Sequence, residues 1–196
     1  DPQNQNTIWA GTGEANIFRS SNVGAGIYLS KNAGESWEHL GLTNTNTISR
    51  ILVHPNNSDV VFVAAGGNEW TDNNERGVYQ TKDGGKNWEK ILFVDDKTGA
   101  YDLVMHPENP DIIYATTWQR IRKKWNDPRT ELDYKETSIY KTTDGGKNWN
   151  KINKGLPEPK YRGRIGIDLC KGSPDVIYAF VDNYEKLKEE NELNAT

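Results

Sequence analysis

The segment Gly77-Val78-Tyr79-Gln80-Thr81-Lys82-Asp83-Gly84-Gly85-Lys86-Asn87-Trp88 is present three times in this chain in related form. The other two copies occupy residues 26–37 and 138–149. A second element begins with His54-Pro55, continues through a polar turn and ends in Val60-Val61-Phe62-Val63. It recurs at residues 106–115, at 170–179 with one shift, and at 1–10. Self-similarity at a period of about 50 residues is typical of repeat folds.

Each repeat predicts four short strands separated by turns rich in Pro, Asn, Asp and Gly. The expected first strands are 48–53, 101–105 and 164–169, and the expected second strands are 60–64, 112–116 and 176–180. The expected third strands are 27–30, 78–81 and 139–142, and the expected fourth strands are 37–40, 88–92 and 149–152. The second strands are almost wholly apolar, which predicts burial on both faces.

Four strands per repeat without a helical period predict an all-β fold, a β-propeller of four-stranded antiparallel blades. At about 53 residues per blade, the chain makes about three and a half blades of a larger propeller. We expect a partial propeller over residues 1–181, with blades at roughly 1–42, 43–94, 95–156 and 157–181. Residues 182–196 read as a charged linker or the start of an insertion. The rest of the propeller is then the first partner of this segment.

The turn between the third and fourth strands has a structural explanation. Asp83 and Asp144 can accept hydrogen bonds from backbone N–H groups of their own turns, and the glycines supply positive φ. The motif resembles the Asp-box, or bacterial neuraminidase repeat, which implies a structural role for its residues. Those residues are Asn32, Gly34 and Trp37 in the first copy, Asp83, Gly85 and Trp88 in the second, and Asp144, Gly146 and Trp149 in the third. We expect the three tryptophans to be buried between blades.

Four further segments are similar to bacterial sortilin-N-like propeller proteins. They are residues 8–14 (Ile-Trp-Ala-Gly-Thr-Gly-Glu), 75–79 (Glu-Arg-Gly-Val-Tyr), 115–120 (Ala-Thr-Thr-Trp-Gln-Arg) and 163–167 (Gly-Arg-Ile-Gly-Ile). The resemblance extends from residue 1 to about residue 182. It implies an exported protein that is secreted, periplasmic or attached to the cell surface. It does not imply a particular activity.

Composition and residue positions argue against several classes of partner and ligand. The 196 residues include 24 Lys and Arg against 28 Asp and Glu, a net charge of −4 that argues against a nucleic-acid partner. The longest apolar run, residues 60–65, is too short for membrane insertion. We expect no cofactor and no metal: His54, His106 and Cys170 share one repeated position, but blades about 10 Å apart separate them too widely for a common ion.

The connections between strands define two edges of the propeller. The first-to-second and third-to-fourth turns share one edge, which we call the Asp-box rim. The second-to-third and fourth-to-first connections share the opposite edge, which we call the loop rim. The loops whose length varies most, residues 11–26, 66–77 and 117–137, belong to the loop rim, and variable loops of a repeat fold commonly carry function. The candidate binding residues are Glu14, Arg19, Trp70, Arg76, Trp118, Arg120 and Trp125.

Three functions remain open on these residues. A non-catalytic binding propeller would recognise a glycan or a peptide through aromatic and cationic side chains. A glycoside hydrolase would need a carboxylate pair, for which Glu14 and Glu69 are candidates. A scaffold would dock a partner protein on its loops. Catalytic residues stay unknown, and Trp118 can alternatively pack on the blade below while the cations are solvated. We favour the binding propeller, and we expect the 117–137 loop to be its main recognition surface.

Overall fold

The computed structural model describes residues 1–16, 22–120 and 135–186, and these form an all-β fold of antiparallel sheets. The first sheet contains β1 (Ile8–Gly11), β2 (Ile27–Ser30) and β3 (Glu38–His39). The second contains β4 (Ile48–Val53), β5 (Val61–Ala65), β6 (Gly77–Thr81) and β7 (Glu89–Leu92). The third contains β8 (Thr98–Met105), β9 (Ile113–Gln119), β10 (Ser138–Thr142) and β11 (Asn150–Lys151). The fourth contains β12 (Arg162–Cys170) and β13 (Ser173–Asn183).

The expected strands are all present, and the propeller-blade architecture is confirmed. Strands within each sheet pair in chain order, as a blade of consecutive hairpins requires. β5 is buried along its whole length, in agreement with its apolar sequence. β13 extends to Asn183, beyond the expected boundary at residue 181. The only helical turns in the described ranges are short 3₁₀ segments at Thr43–Thr45 and Pro159–Tyr161. Among these residues, no helix is long and apolar enough to cross a membrane.

The sheets stack face to face, because alternate residues of each second strand point to opposite sides. In β5, Val61 and Val63 pack toward the first sheet, whereas Phe62 packs with Leu103 and Ile113 of the third. The third and fourth sheets pack in the same way, with Tyr114 of β9 against Ile165 and Ile167 of β12. The first strands of successive sheets also contact one another. The cores of the molecule therefore lie between blades.

The two rims are arranged as the connections predict. On the Asp-box rim, the turn N–H of Gly84 donates to the carbonyl of Asp59 at 3.0 Å, and that of Gly145 donates to Asp111 at 3.0 Å. Each Asp-box turn is thus tied to the first-to-second-strand turn of its own blade. On the loop rim, the N–H of Gly66 donates to the carbonyl of Thr47 at 2.9 Å.

Asp-box turns are closed by side-chain hydrogen bonds. Asp83 accepts the backbone N–H of Asn87 at 2.9 Å and the Asn87 side chain at 2.7 Å, while Thr81 Oγ1 accepts the N–H of Gly85 at 2.9 Å. The bonds from Asn87 lower the pKa of Asp83 to about 2. In the first copy, Asn32 accepts the N–H of Ser36 at 3.0 Å without a charge. The substitution of Asn for Asp therefore preserves the turn.

None of the three Asp-box tryptophans is fully buried as expected, and one of them is exposed. Trp88 and Trp149 are half-buried, but Trp37 is 45% exposed. The indole N–H of Trp88 donates to the carbonyl of Leu40 in the preceding sheet at 2.8 Å. Burial of an Asp-box tryptophan thus comes from the preceding sheet, and the described chain has no sheet on that side of Trp37.

Candidate ligand-binding rim

Three connections meet on the loop rim between the second and third sheets. The N–H of Asn73, in the loop between β5 and β6, donates to the carbonyl of Asp96 at 2.9 Å. Arg120, at the end of β9, donates its N–H to the carbonyl of Lys97 at 3.0 Å. Lys97 also lies 3.9 Å from the carboxylate of Asp72. Residues 95–97 therefore hold two of the variable loops together.

A stacked column of cations and rings lies at this meeting point. The guanidinium of Arg120 is 4.6 Å from the centre of the Trp118 ring, and Trp118 meets Tyr101 edge to face at 5.2 Å. Arg164 of β12 lies over the other ring of the column, 5.7 Å from the centre of Tyr101. We call Arg120, Trp118, Tyr101 and Arg164 the rim column. Each guanidinium is oriented by an aromatic ring, which is the geometry of a cation–π contact.

A β-bulge places Tyr101 in the column. The pairing of β8 with β9 shifts between Ala100 and Asp102, so Tyr101 is the extra residue. Bulges redirect side chains and are over-represented next to functional sites. The Tyr101 ring is buried, and a Cβ added at Gly66 would lie only 3.2 Å from its hydroxyl oxygen. Burial raises the pKa of Tyr101 to about 12. Its hydroxyl forms no hydrogen bond with any residue that the structure describes.

Arg164 extends the column to the first sheet. Its guanidinium donates to the side-chain oxygen of Asn16 and to the carbonyl of Ala15. Both acceptors belong to the loop that follows β1, so side chains from the first, third and fourth sheets meet here. Tyr101 and Arg164 are not among the binding residues that the sequence predicts. Neither the bulge nor the contact between distant sheets has a local sequence signal.

Arg76 holds the loop between β5 and β6 from beneath. Its side chain is fully buried, and its guanidinium donates to the carbonyls of Gly66 at 2.9 Å and Asn68 at 2.6 Å. A third, longer bond reaches Thr71 at 3.3 Å. Burial lowers the pKa of Arg76, because desolvation disfavours the charged form. The sequence predicts Arg76 on the binding surface, whereas its side chain is buried inside the loop.

The same loop presents Trp70 to solvent. The Trp70 side chain is exposed, and its N–H donates to the side-chain oxygen of Asn68 at 2.9 Å. Asn73 donates its side-chain amide to the carbonyls of Asn68 at 2.7 Å and Thr71 at 2.8 Å. Arg76 and Asn73 thus bind the loop backbone on both sides of Trp70. The result is an exposed aromatic ring on a loop with a well-supported backbone.

The other residues that the sequence predicts as binding or catalytic differ in their burial. Trp118 is buried against Tyr101 of its own sheet. Glu14 is half-buried and accepts the N–H of Asn22 at 3.3 Å, while Glu69 is buried. Arg19 and Trp125 lie outside the described residues. Across residues 1–16, 22–120 and 135–186, no group of three or more His, Cys, Asp and Glu side chains is arranged to hold a metal ion.

Comparisons with known proteins agree with this architecture. The family model described as "Sortilin, neurotensin receptor 3" matches residues 25–195. The chain is 30% identical over 112 residues to vacuolar protein sorting/targeting protein 10 of Verticillium alfalfae and 26% identical over 108 residues to that of Colletotrichum graminicola. These matches cover 57% and 55% of the chain but only 6% of either relative. The chain thus spans a small part of the relatives it matches.

Solved structures share the fold at low sequence identity. A crystal structure of an ancestral GH74 enzyme superposes with a TM-score of 0.64 at 19% identity, covering 91% of this chain and 20% of that one. The GH74 enzyme of Niastella koreensis gives a TM-score of 0.51 at 20% identity, covering 94% and 26%. At these identities the likeness establishes the propeller fold alone.

Proposed function

Because the chain belongs to the sortilin and Vps10 family, we propose that it forms part of a non-catalytic propeller that binds peptide ligands on its loop rim. The family match supports a binding and sorting role, and the rim column supports the loop rim as the binding site. We further propose that the protein works outside the cytoplasm, in keeping with its relatives that are named for vacuolar protein sorting.

The rim column carries the proposal. Guanidinium groups offer several N–H donors in a fixed plane and suit the carbonyl and carboxylate oxygens of a peptide. Stacking on Trp118 orients Arg120 before a ligand arrives. Arg164 is oriented by the Tyr101 ring and by the bonds from its Nη1 to Ala15 and Asn16, so its other N–H groups are the ones proposed to meet a ligand. Side chains that are already ordered lose less conformational entropy on binding. Neighbouring Trp70 adds an exposed ring of the kind that anchors interfaces.

The glycoside-hydrolase alternative has support from the shared fold alone. Hydrolysis needs two carboxyl groups about 5–10 Å apart on either side of a sugar bond. Glu69 is buried, and Glu14 accepts a backbone N–H within its own loop. Neither side chain is presented in an open groove by the described residues. The arrangement of the rim residues therefore supports ligand binding better than it supports glycoside hydrolysis.

A peptide array with matched variants tests the proposal. The chain is screened against immobilised synthetic peptides, and the strongest peptide is then measured in solution against the parent, Arg120→Ala and Arg164→Ala. Lys82→Ala is the control, because Lys82 is an exposed cation on the Asp-box rim. We expect each rim variant to weaken binding by about tenfold or more, in line with interface anchors, and the control to bind like the parent.

Two outcomes would contradict the proposal. Equal loss of binding in Lys82→Ala and the rim variants would show that only overall charge matters. Release of reducing sugars from a glucan substrate by the parent chain would support the hydrolase instead. Thermal unfolding of every variant is recorded alongside, so that a loss of folding is not read as a loss of binding.

A further inference from the structure

Arg162, the first residue of β12, has a buried guanidinium without a partner. The residue is 4% exposed, and its Nε and Nη1 form no hydrogen bond with any residue that the structure describes. It also forms no ion pair with a described carboxylate. Removing a charged group from water is unfavourable unless the group is paired and hydrogen-bonded. The position of Arg162 therefore needs a reason other than the stability of the fold.

Glu136 is an acidic neighbour of Arg162, but it has a different partner. Burial lowers the pKa of Arg162, and the carboxylate of Glu136 acts in the opposite direction. Glu136 itself forms an ion pair with Lys151 of β11. Its backbone N–H donates to the side-chain oxygen of Gln119 at 3.1 Å, so Glu136 lies beside the end of β9. Arg162 is therefore close to the part of the loop rim that carries Arg120, and Glu136 does not pair with it.

The two arginines of the rim column also lack a carboxylate partner among the described residues. Arg120 lies over the Trp118 ring, and the Nη1 of Arg164 donates to uncharged oxygens of Ala15 and Asn16. Ring stacking and neutral acceptors orient a guanidinium without cancelling its charge. Three positive charges on the third and fourth sheets thus remain uncompensated on this rim.

This lack of carboxylates is local to the rim. The chain has 28 Asp and Glu against 24 Lys and Arg, so acidic residues are not scarce. On β4 and β8, Arg50 lies 3.5 Å from the carboxylate of Asp102, and between the neighbouring loops Lys97 lies 3.9 Å from Asp72. Cations elsewhere in the described chain therefore have acidic partners, whereas the three arginines leave room for acceptors that come from a ligand.

We propose that Arg120, Arg162 and Arg164 form a subsite for acidic side chains, which we call the arginine subsite, and that it selects peptide segments with several Asp or Glu residues. The inference rests on the proposed peptide-binding function and names the class of peptide. Guanidinium and carboxylate groups form short, charge-assisted hydrogen bonds. One chain end supplies a single carboxylate, which is too few for three guanidiniums on two sheets. The carboxylates are therefore assigned to side chains along the bound segment.

The stability of an Arg162 variant separates a binding role from a structural one. Arg162→Met removes the buried charge and keeps an apolar side chain in part of the same space. The unfavourable desolvation of the guanidinium is then absent, so the urea midpoint should stay unchanged or rise. A residue needed for the fold would instead lower the midpoint when replaced. Side chains that serve binding are commonly kept at a cost in stability.

Three synthetic peptides probe the arginine subsite by isothermal titration calorimetry. The first is an octapeptide of alternating Glu and Ala with an acetylated N-terminus and an amidated C-terminus. The second has Gln in place of every Glu, and the third is the Gln peptide with a free C-terminal carboxylate. Each is measured with the parent chain, with Arg162→Met and with Lys82→Met, which removes the same charge from the Asp-box rim.

The parent should bind the Glu peptide at least about tenfold more tightly than either Gln peptide. Arg162→Met should bind the Glu and blocked Gln peptides with similar affinity while its urea midpoint is at or above that of the parent. Lys82→Met should keep the preference of the parent for the Glu peptide. Lost preference without lost stability is the result that a merely structural arginine would not give.

Four results would overturn this inference. Equal affinity of the parent for the Glu and Gln peptides, with binding to other peptides of the array retained, would refute it and leave the proposed function intact. A lower urea midpoint for Arg162→Met would assign Arg162 to the fold. Tightest binding of the Gln peptide with a free C-terminus would assign the subsite to a chain end. Binding of heparin that depends on Arg162 and exceeds that of the Glu peptide would assign it to a sulfated polysaccharide. Failure of every array peptide to bind would overturn the proposed function together with this inference.

Discussion

Replacing the Asp-box glycines one at a time separates backbone strain from contact between sheets. Gly34, Gly85 and Gly146 have φ of 95°, 90° and 95°. Alanine at any of them adopts a left-handed backbone, at a cost of about 1–2 kcal/mol. That cost is shared by all three positions. Differences among the variants therefore report what the new methyl group meets.

The structure predicts unequal losses of stability. At Gly34 the methyl group meets only Trp37, at an ordinary 3.8 Å, so Gly34→Ala should cost the backbone strain alone, about 1–2 kcal/mol. At Gly85 it lies 2.8 Å from Leu40, and forcing extra volume between packed sheets costs about 1–3 kcal/mol more. Gly146→Ala should cost less than Gly85→Ala, because its methyl group meets only the movable Cδ1 of Ile91 at 2.6 Å, whereas at Gly85 the rigid Trp9 ring also lies at 3.0 Å.

Urea unfolding followed by circular dichroism measures these differences. An added loss of about 1–3 kcal/mol lowers the midpoint by about 0.5–1.5 M if the urea dependence is about 2 kcal/mol per M. Equal midpoints for Gly34→Ala and Gly85→Ala would refute the reasoning, because the close approach of the sheets would then have no energetic effect.

Three further predictions concern buried and titrating groups. Arg76→Met should lower the free energy of unfolding by about 1–3 kcal/mol, because the buried carbonyl of Gly66 loses the Arg76 donor, whereas Asn68 and Thr71 keep the Asn73 amide. Arg76→Lys should not restore the stability, since an ammonium lacks the planar fork of donors; unchanged denaturation midpoints would contradict this. Tyr101→Phe should change stability by less than about 1 kcal/mol, since its hydroxyl has no partner among the described residues, so a larger loss in the same assay would reveal one. Hydrogen bonds in the folded turns lower the pKa values of Asp83 and Asp144 to about 2 from an ordinary 3.8, so the stability they contribute should be lost as the pH falls from about 4 to about 2. The double variant Asp83→Asn and Asp144→Asn should lose this pH dependence when thermal unfolding is measured across that range.

The candidate site was less predictable from sequence than the fold. The variable loops predict a site on the loop rim, and Trp70 is exposed there. Arg76 was assigned to the surface, but its guanidinium satisfies carbonyls of its own loop. Tyr101 was missed because a bulge redirects it, and a bulge depends on the register between two strands. Charge and loop position alone could not distinguish a cation that faces a ligand from one that supports a loop.

The sequence by itself determined the blade and its turns. The side-chain hydrogen bonds within the Asp-box turns join residues at most four apart, as between Asp83 and Asn87, so the same local pattern folds in the same way in each repeat. Only the tertiary structure decided which side chains are covered. Trp37 and Trp88 occupy the same position in nearly the same motif, yet Trp37 is exposed and Trp88 packs on Trp9 and Leu40. Burial depends on a neighbouring sheet that is distant in the chain, and no local pattern specifies whether that sheet is there.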